Sequence, residues 1–165
     1  IFNILGPLTN PANATRQVIG VYDAKLTDIV AKVLEKLNTE HAFVVYGYDG
    51  LDEITTTDKT KVCELKEGEI KSYFITHDSF GIPKAEINDF VVSSPEESAN
   101  AISEVLEGTD GPKRDIVLIN ASAAIVAGGG AEDLRDGMQI AAESVDSGKA
   151  KASLKKLIDI TQGSG

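Results

Sequence analysis

Tryptophan is absent from this 165-residue sequence, which carries one methionine, one cysteine and two histidines. Aromatic residues make up 5% of it, so a core has to be assembled from Leu, Ile, Val and Ala. The single cysteine, Cys63, excludes an intramolecular disulfide and fits a reducing, intracellular, cytoplasmic setting. With neither histidine near it in sequence, Cys63 reads as a small buried hydrophobe. Positive charge is scarce: 16 Lys and Arg stand against 26 Asp and Glu, a net charge of −10. That balance argues against nucleic acid and against an anionic membrane as partners, because both are held mainly by basic side chains. No apolar run reaches the roughly 20 residues of a membrane span, and no signal-peptide pattern opens the chain. P-loop and GxGxxG patterns are missing, as are internal repeats and any evident nucleophile–base pair. Ile1-Phe2-Asn3 opens inside an apolar segment without an initiator Met, so further residues are expected before Ile1.

What is present reads as one α/β domain, of a size that buries roughly 70% of its unfolded surface. Ile1–Leu5 looks like the end of an element stopped by Gly6-Pro7. Gln17–Tyr22 is a short β-branched strand. Asp23 then caps a helix whose apolar stripe is Leu26, Ile29, Val30, Val33, Leu34 and Leu37. Ala42–Tyr46 is apolar throughout, as a strand buried on both faces should be. Strand, helix and strand with short connections predict a βαβ unit with parallel pairing, flanked by helices. Lys61–Leu65 and Ile70–Ile75, separated by Lys66-Glu67-Gly68-Glu69, predict a small hairpin. Ser94 and Glu97 form a capping box, with Pro95 at the first helical position of a helix ending near Gly108. Asp115–Ala127 is ambiguous: 115–119 looks like a strand and 120–127 like a buried helix. Glu132–Ser147 and Ala152–Thr161 read as helices.

Chemistry concentrates in the turn after the second strand. In open α/β sheets, ligands bind beyond the carboxyl ends of the strands. Asp49, Asp52 and Glu53 fall within five residues there, and Gly47 and Gly50 let the backbone turn tightly. Three carboxylates this close repel one another unless a cation joins them. Mg²⁺ takes one or two carboxylates, keeps several waters and completes its shell with phosphate oxygens. A solvated turn with an Asp cap is the plainer alternative, and the residues alone leave it open. Thr55-Thr56-Thr57 is either a phosphate contact or polar surface. Gly128-Gly129-Gly130 is either a phosphate cradle or, better supported, a helix C-terminus. His41 and His77 lack metal-ligand spacing to a partner.

Two blocks then carry a family resemblance: Ile1-Phe2-Asn3-Ile4-Leu5-Gly6-Pro7-Leu8-Thr9-Asn10-Pro11-Ala12 and Val44-Val45-Tyr46-Gly47-Tyr48-Asp49-Gly50-Leu51-Asp52-Glu53-Ile54. With Gln17–Tyr22, Gly111–Ala121 and Asp146–Ala150 in the same order, nearly the whole chain resembles the anthranilate phosphoribosyltransferase family. The resemblance implies a nucleoside phosphorylase/phosphoribosyltransferase-like C-terminal domain, with Asp115–Ala127 largely helical. It implies a parent enzyme that transfers phosphoribose from phosphoribosyl diphosphate to anthranilate in tryptophan biosynthesis. Asp52 and Glu53 match the family's acidic pair for Mg²⁺, and Gly6 and Pro7 match a segment lining the anthranilate pocket. Tyr46-Gly47 stands where the family often has His-Gly, so a role for that histidine does not transfer. The family's Gly-rich diphosphate loop, its N-terminal helical domain with the usual dimer contact, and an upstream basic residue have no counterpart in these 165 residues. The expectation is a C-terminal section of a catalytic domain, inactive alone. The competing expectation is a stand-alone, non-catalytic ligand-binding or interaction domain of the same fold.

Overall fold

The structure, a computed structural model, describes residues 6–163. Strands β1 (Arg16–Gly20), β2 (His41–Gly47), β3 (Thr60–Lys66) and β4 (Glu69–Ile75) form one four-stranded sheet in the order β1-β2-β3-β4. β1 and β2 are parallel, with Val18 opposite Phe43. The remaining pairs are antiparallel, with Val44 opposite Cys63 and Cys63 opposite Ser72. The expected βαβ unit is present, and the hairpin is not a separate feature: it extends the same sheet from the inner edge of β2. The two-residue turn at Glu67-Gly68 has φ of 53° and 81°, the doubly positive pattern whose twist matches that of paired strands.

Helix α1 (Ala24–Lys36) crosses between the parallel strands, capped by the Asp23 carboxylate, which accepts from the Lys25 N–H at 2.9 Å. It packs on β2 and β3. Its buried stripe is Thr27, Val30, Ala31 and Leu34, the i, i+3, i+4, i+7 spacing of a single face. Ile29 and Leu37, expected on that stripe, are exposed. Thr27 takes a core place because its hydroxyl donates to the Ala24 carbonyl one turn back at 2.8 Å. Helix α2 (Pro95–Leu106) starts as expected at Ser94, whose Oγ accepts from the Glu97 N–H at 3.1 Å. Glu97 closes the cap on Ser93 instead of Ser94, accepting from both the Ser93 N–H and hydroxyl.

Helix α3 (Pro112–Ala127) occupies the ambiguous stretch, and the strand reading of 115–119 is wrong. This helix packs on β1 and β2 with one side and on α4 (Leu134–Asp146) with another. Ile116, Leu118, Ile119, Ala123 and Val126 are therefore all buried. A helix covered on several sides shows no clean 3.6-residue stripe. Helix α5 (Lys149–Thr161) follows at once and has no buried residue. Among the described residues no helix is long and apolar enough to cross a membrane. Residues 6–8 are helical, so the expected stop at Gly6-Pro7 comes two residues later; the reading of Ile1–Leu5 lies outside the described residues.

Strand β2 separates two cores by alternation. Ala42 and Val44 join Ile19, Val30, Leu34, Cys63 and Leu65 beneath α1. Phe43 and Val45 join Ile54, Val62, Ile119, Ala123 and Val126 beneath α3. Successive strand side chains point to opposite faces, so an unbroken apolar run feeds both. Leu34 is fully buried at the centre of the first core. Leu34→Ala is expected to cost about 2–5 kcal/mol of unfolding free energy, measured by denaturant titration at neutral pH.

Candidate functional site

The acidic turn leaves the last residue of β2 and folds back over the end of β1. The Gly47 N–H donates to the Leu51 carbonyl at 2.9 Å and the Gly50 N–H to the Gly47 carbonyl at 3.0 Å. Gly50, at φ 98°, takes a backbone conformation that a side chain would strain. Asp49 points inward. One of its carboxylate oxygens accepts from the Thr55 and Thr57 hydroxyls, and the other accepts from the Leu51 N–H at 3.1 Å. Burial pushes the Asp49 carboxyl up, but the hydrogen bonds from Thr55, Thr57 and Leu51 outweigh it and leave the group below the ordinary carboxylate range. Thr55 and Thr56 are buried, so the threonine run is mostly internal bracing and not open polar surface. The Thr55 N–H donates to the Thr60 hydroxyl at 2.9 Å, and the Thr56 carbonyl accepts from the Ala85 N–H at 3.1 Å.

Asp52 and Glu53 do the opposite. Both are exposed, and among the described residues neither carboxylate has a hydrogen-bond or ion-pair partner. Partial desolvation raises the Glu53 carboxyl above its ordinary value, and the neighbouring Asp52 charge raises it further. Like charges held side by side without a counter-charge destabilise one another. Two adjacent hard oxygen donors without a protein partner among the described residues fit Mg²⁺, which takes one or two carboxylates and keeps its waters. No group of three or more His, Cys, Asp and Glu side chains converges among the described residues. A closed protein cage of the kind that holds a structural transition metal is therefore not formed there.

Two contacts fix the turn from below. A Cβ on Gly20, the last residue of β1, would lie 1.6 Å from the Asp52 carbonyl oxygen. The Asp52 backbone rests directly on that glycine. From α3, the Asn120 carboxamide pairs with the backbone of Ile54. Neither contact is between sequence neighbours. A glycine closing a β-branched strand marks a close backbone approach, and a lone Asn inside an apolar helix marks a backbone partner; both signals were available.

The remaining candidates fall elsewhere. Gly6 is exposed, and Pro7 lines a cavity with Thr15, Gln17, Leu37 and Thr39 at the start of β1. The acidic turn lies at that strand's other end, roughly 13 Å away at the usual strand rise, so the structure does not bring the two sets together. The N–H groups of Gly128, Gly129 and Gly130 donate to the Ala124, Val126 and Ile125 carbonyls. That run closes α3 and offers no phosphate cradle. His41 is buried 2.9 Å from Glu64, and His77 contacts the Ile82 carbonyl at 3.0 Å. Cys63 is fully buried, and burial raises its thiol.

A parallel strand pair with helices on both faces and an exposed acidic pair at its carboxyl end defines an α/β domain with a candidate cation site. The chain belongs to the glycosyl transferase family, a/b domain, whose model matches residues 1–151. It is 47% identical over 161 residues to the anthranilate phosphoribosyltransferase of Methanobrevibacter smithii, covering 98% of this chain and 48% of that protein. Against the enzyme of that name from Clostridium kluyveri it is 50% identical over 159 residues, covering 96% and 48%. The solved anthranilate phosphoribosyltransferase from Saccharomyces cerevisiae in complex with PRPP and Mg matches with a TM-score of 0.84 at 30% identity, over 96% of this chain and 46% of that one. The one from Thermus thermophilus matches at 0.82 and 33%, over 94% and 46%. The chain spans about half the length of the curated relatives it matches.

Two outcomes follow from this geometry. Gly20→Ala forces a methyl into the Asp52 carbonyl and should cost about 3 kcal/mol or more, read from the denaturation midpoint, with shifted Asp52 and Glu53 amide resonances. Asp49 has a depressed carboxyl, so its stabilisation is present at neutral pH and is lost as pH falls below about 4. Asp49→Asn cannot accept from both sides and should lose about 1–3 kcal/mol at pH 7. Its stability profile should be flatter than wild type in acid.

Proposed function

We propose that this chain is the C-terminal section of the catalytic domain of an anthranilate phosphoribosyltransferase, acting in tryptophan biosynthesis in the cytoplasm. The observation that carries the reading is the exposed, unpaired Asp52–Glu53 pair at the carboxyl end of the parallel strands. In this reading Asp52 and Glu53 hold Mg²⁺. When bound, the ion neutralises the charge that develops on a departing diphosphate and orients it.

The chain's own residues supply the platform. Gly20 and Gly47 allow the turn to lie flat on the sheet, and Asp49 with Thr55 and Thr57 keeps it from collapsing onto the carboxylates. A net charge of −10 does not attract a diphosphate, so a cation at the turn is what lets an acidic protein accept one. Gly6 and Pro7, at the opposite end of β1 from the acidic turn, would line the anthranilate pocket in this reading. The amine of anthranilate is already a fair nucleophile, which makes orientation and electrostatics the main tasks and dispenses with a protein nucleophile. The diphosphate-gripping loop, the helical domain and the dimer contact are assigned to the rest of the parent.

Two measurements test this. Incubated with anthranilate, phosphoribosyl diphosphate and Mg²⁺, the chain alone should show no turnover; appreciable turnover sinks the claim that it needs the rest of the parent. In calorimetry with Mg²⁺ and diphosphate, Asp52→Asn and Glu53→Gln should each weaken binding about tenfold or more, since a unit charge at contact distance exceeds 1.4 kcal/mol. Equal binding by wild type and both variants removes these two residues from the site.

A further inference from the structure

Asn120 sits in the middle of α3, within a run of apolar residues and 66 positions from the acidic turn. Asn is a poor helix former, so a packing or polar reason is expected for it there. Its Oδ1 accepts from the Ile54 N–H at 2.9 Å, and its Nδ2 donates to the Ile54 carbonyl at 2.8 Å. The same Nδ2 donates to the Ile116 carbonyl of its own helix at 2.9 Å, which locks the rotamer. Only one orientation of the carboxamide meets all three partners, because the Ile54 N–H needs an acceptor and the two carbonyls need donors.

Ile54 is almost fully buried, so without Asn120 two backbone groups would lose their partners away from water. The Ile54 N–H belongs to the same rigid peptide plane as the Glu53 carbonyl. Fixing that N–H therefore fixes the backbone of Glu53, while Gly20 seats the carbonyl of Asp52. The two exposed carboxylates hang between these supports. No apolar side chain reproduces a donor and an acceptor at that point, and Asp offers only acceptors at neutral pH.

We propose that Asn120 is the positioning residue of the Asp52–Glu53 turn, setting from α3 the direction in which the two carboxylates present themselves to a divalent cation. The inference rests on the reading of that pair as metal ligands. It assigns to a residue of the second core a share of the cation affinity, without contact to the ion.

The test uses the whole chain with Asn120→Ala and, to keep a branched side chain of similar bulk without its donor or acceptor, Asn120→Leu. Amide hydrogen exchange is followed by NMR without metal, and Mn²⁺ affinity by the free-ion EPR signal. In both variants the Ile54 amide should exchange about 10- to 100-fold faster, as expected for the loss of one or two partly buried hydrogen bonds. Amides of Ile119 and Ala123 should hold their protection, and Mn²⁺ should bind about tenfold more weakly, on the same scale. A merely structural role would lower the denaturation midpoint and leave the Mn²⁺ affinity of the folded chain unchanged; that result overturns the proposal. Unchanged Ile54 exchange in Asn120→Leu also overturns it, even where Asn120→Ala fails to fold. Asp52→Asn and Glu53→Gln run in parallel separate the two ideas. If those variants bind Mn²⁺ as wild type does, the metal reading fails and the positioning role falls with it. If they lose Mn²⁺ while both Asn120 variants keep it, the metal reading stands and the positioning role alone fails.

Discussion

Strand β2 has no solvent face, and much else in the domain answers to that. Its alternating residues must find two different apolar partners, and α1 and α3 supply them on opposite sides of the sheet. A parallel neighbour on one edge and an antiparallel one on the other satisfy its backbone. A strand held this completely has little freedom at its end. The chain leaving it at Gly47 therefore starts from a fixed point, and the acidic turn inherits that precision. The same double cover brings α3 close enough to the turn for a helix side chain to reach loop backbone.

The turn divides three carboxylates between two tasks. Asp49 gives up its freedom to hold Thr55, Thr57 and Leu51, and its charge is compensated by hydrogen bonds. Asp52 and Glu53 have no such partner among the described residues, and partial desolvation, followed by the Asp52 charge, raises the Glu53 carboxyl. An internal brace and an unpaired edge thus stand within five residues.

Local signals made much of this readable from the chain. Asp23 as a cap, the β-branched strand before it, the apolar run of β2 and the Glu67-Gly68 turn each declare themselves within a few residues, and each element is where those signals place it. Asp115–Ala127 resisted because a helix covered by a sheet on one side and another helix on the other has apolar residues all round. Ile29 and Leu37 lie off the stripe that hydrophobicity alone predicts, and Thr27 takes a place on it because its hydroxyl is satisfied by its own helix. At the site, the acidic pair was legible from composition and spacing. The supports at Gly20 and Asn120 are not legible there, since they act across 32 and 66 residues and only the fold brings them to the turn.

The hairpin of β3 and β4 carries one more implication. Its register is set by a two-residue turn, so its ladder can zip from neighbours in sequence at little loop-closure cost. The pairing of β1 with β2 must instead wait for a whole helix to fold back between them. Hairpins form in microseconds, and topologies rich in distant pairings assemble more slowly. The hairpin, whose own turn lies at the end of the sheet away from the acidic turn, is thus the part able to form first. It presents β3 as a ready template on which β2 can be laid down, closing the acidic turn, before β1 joins across its helix.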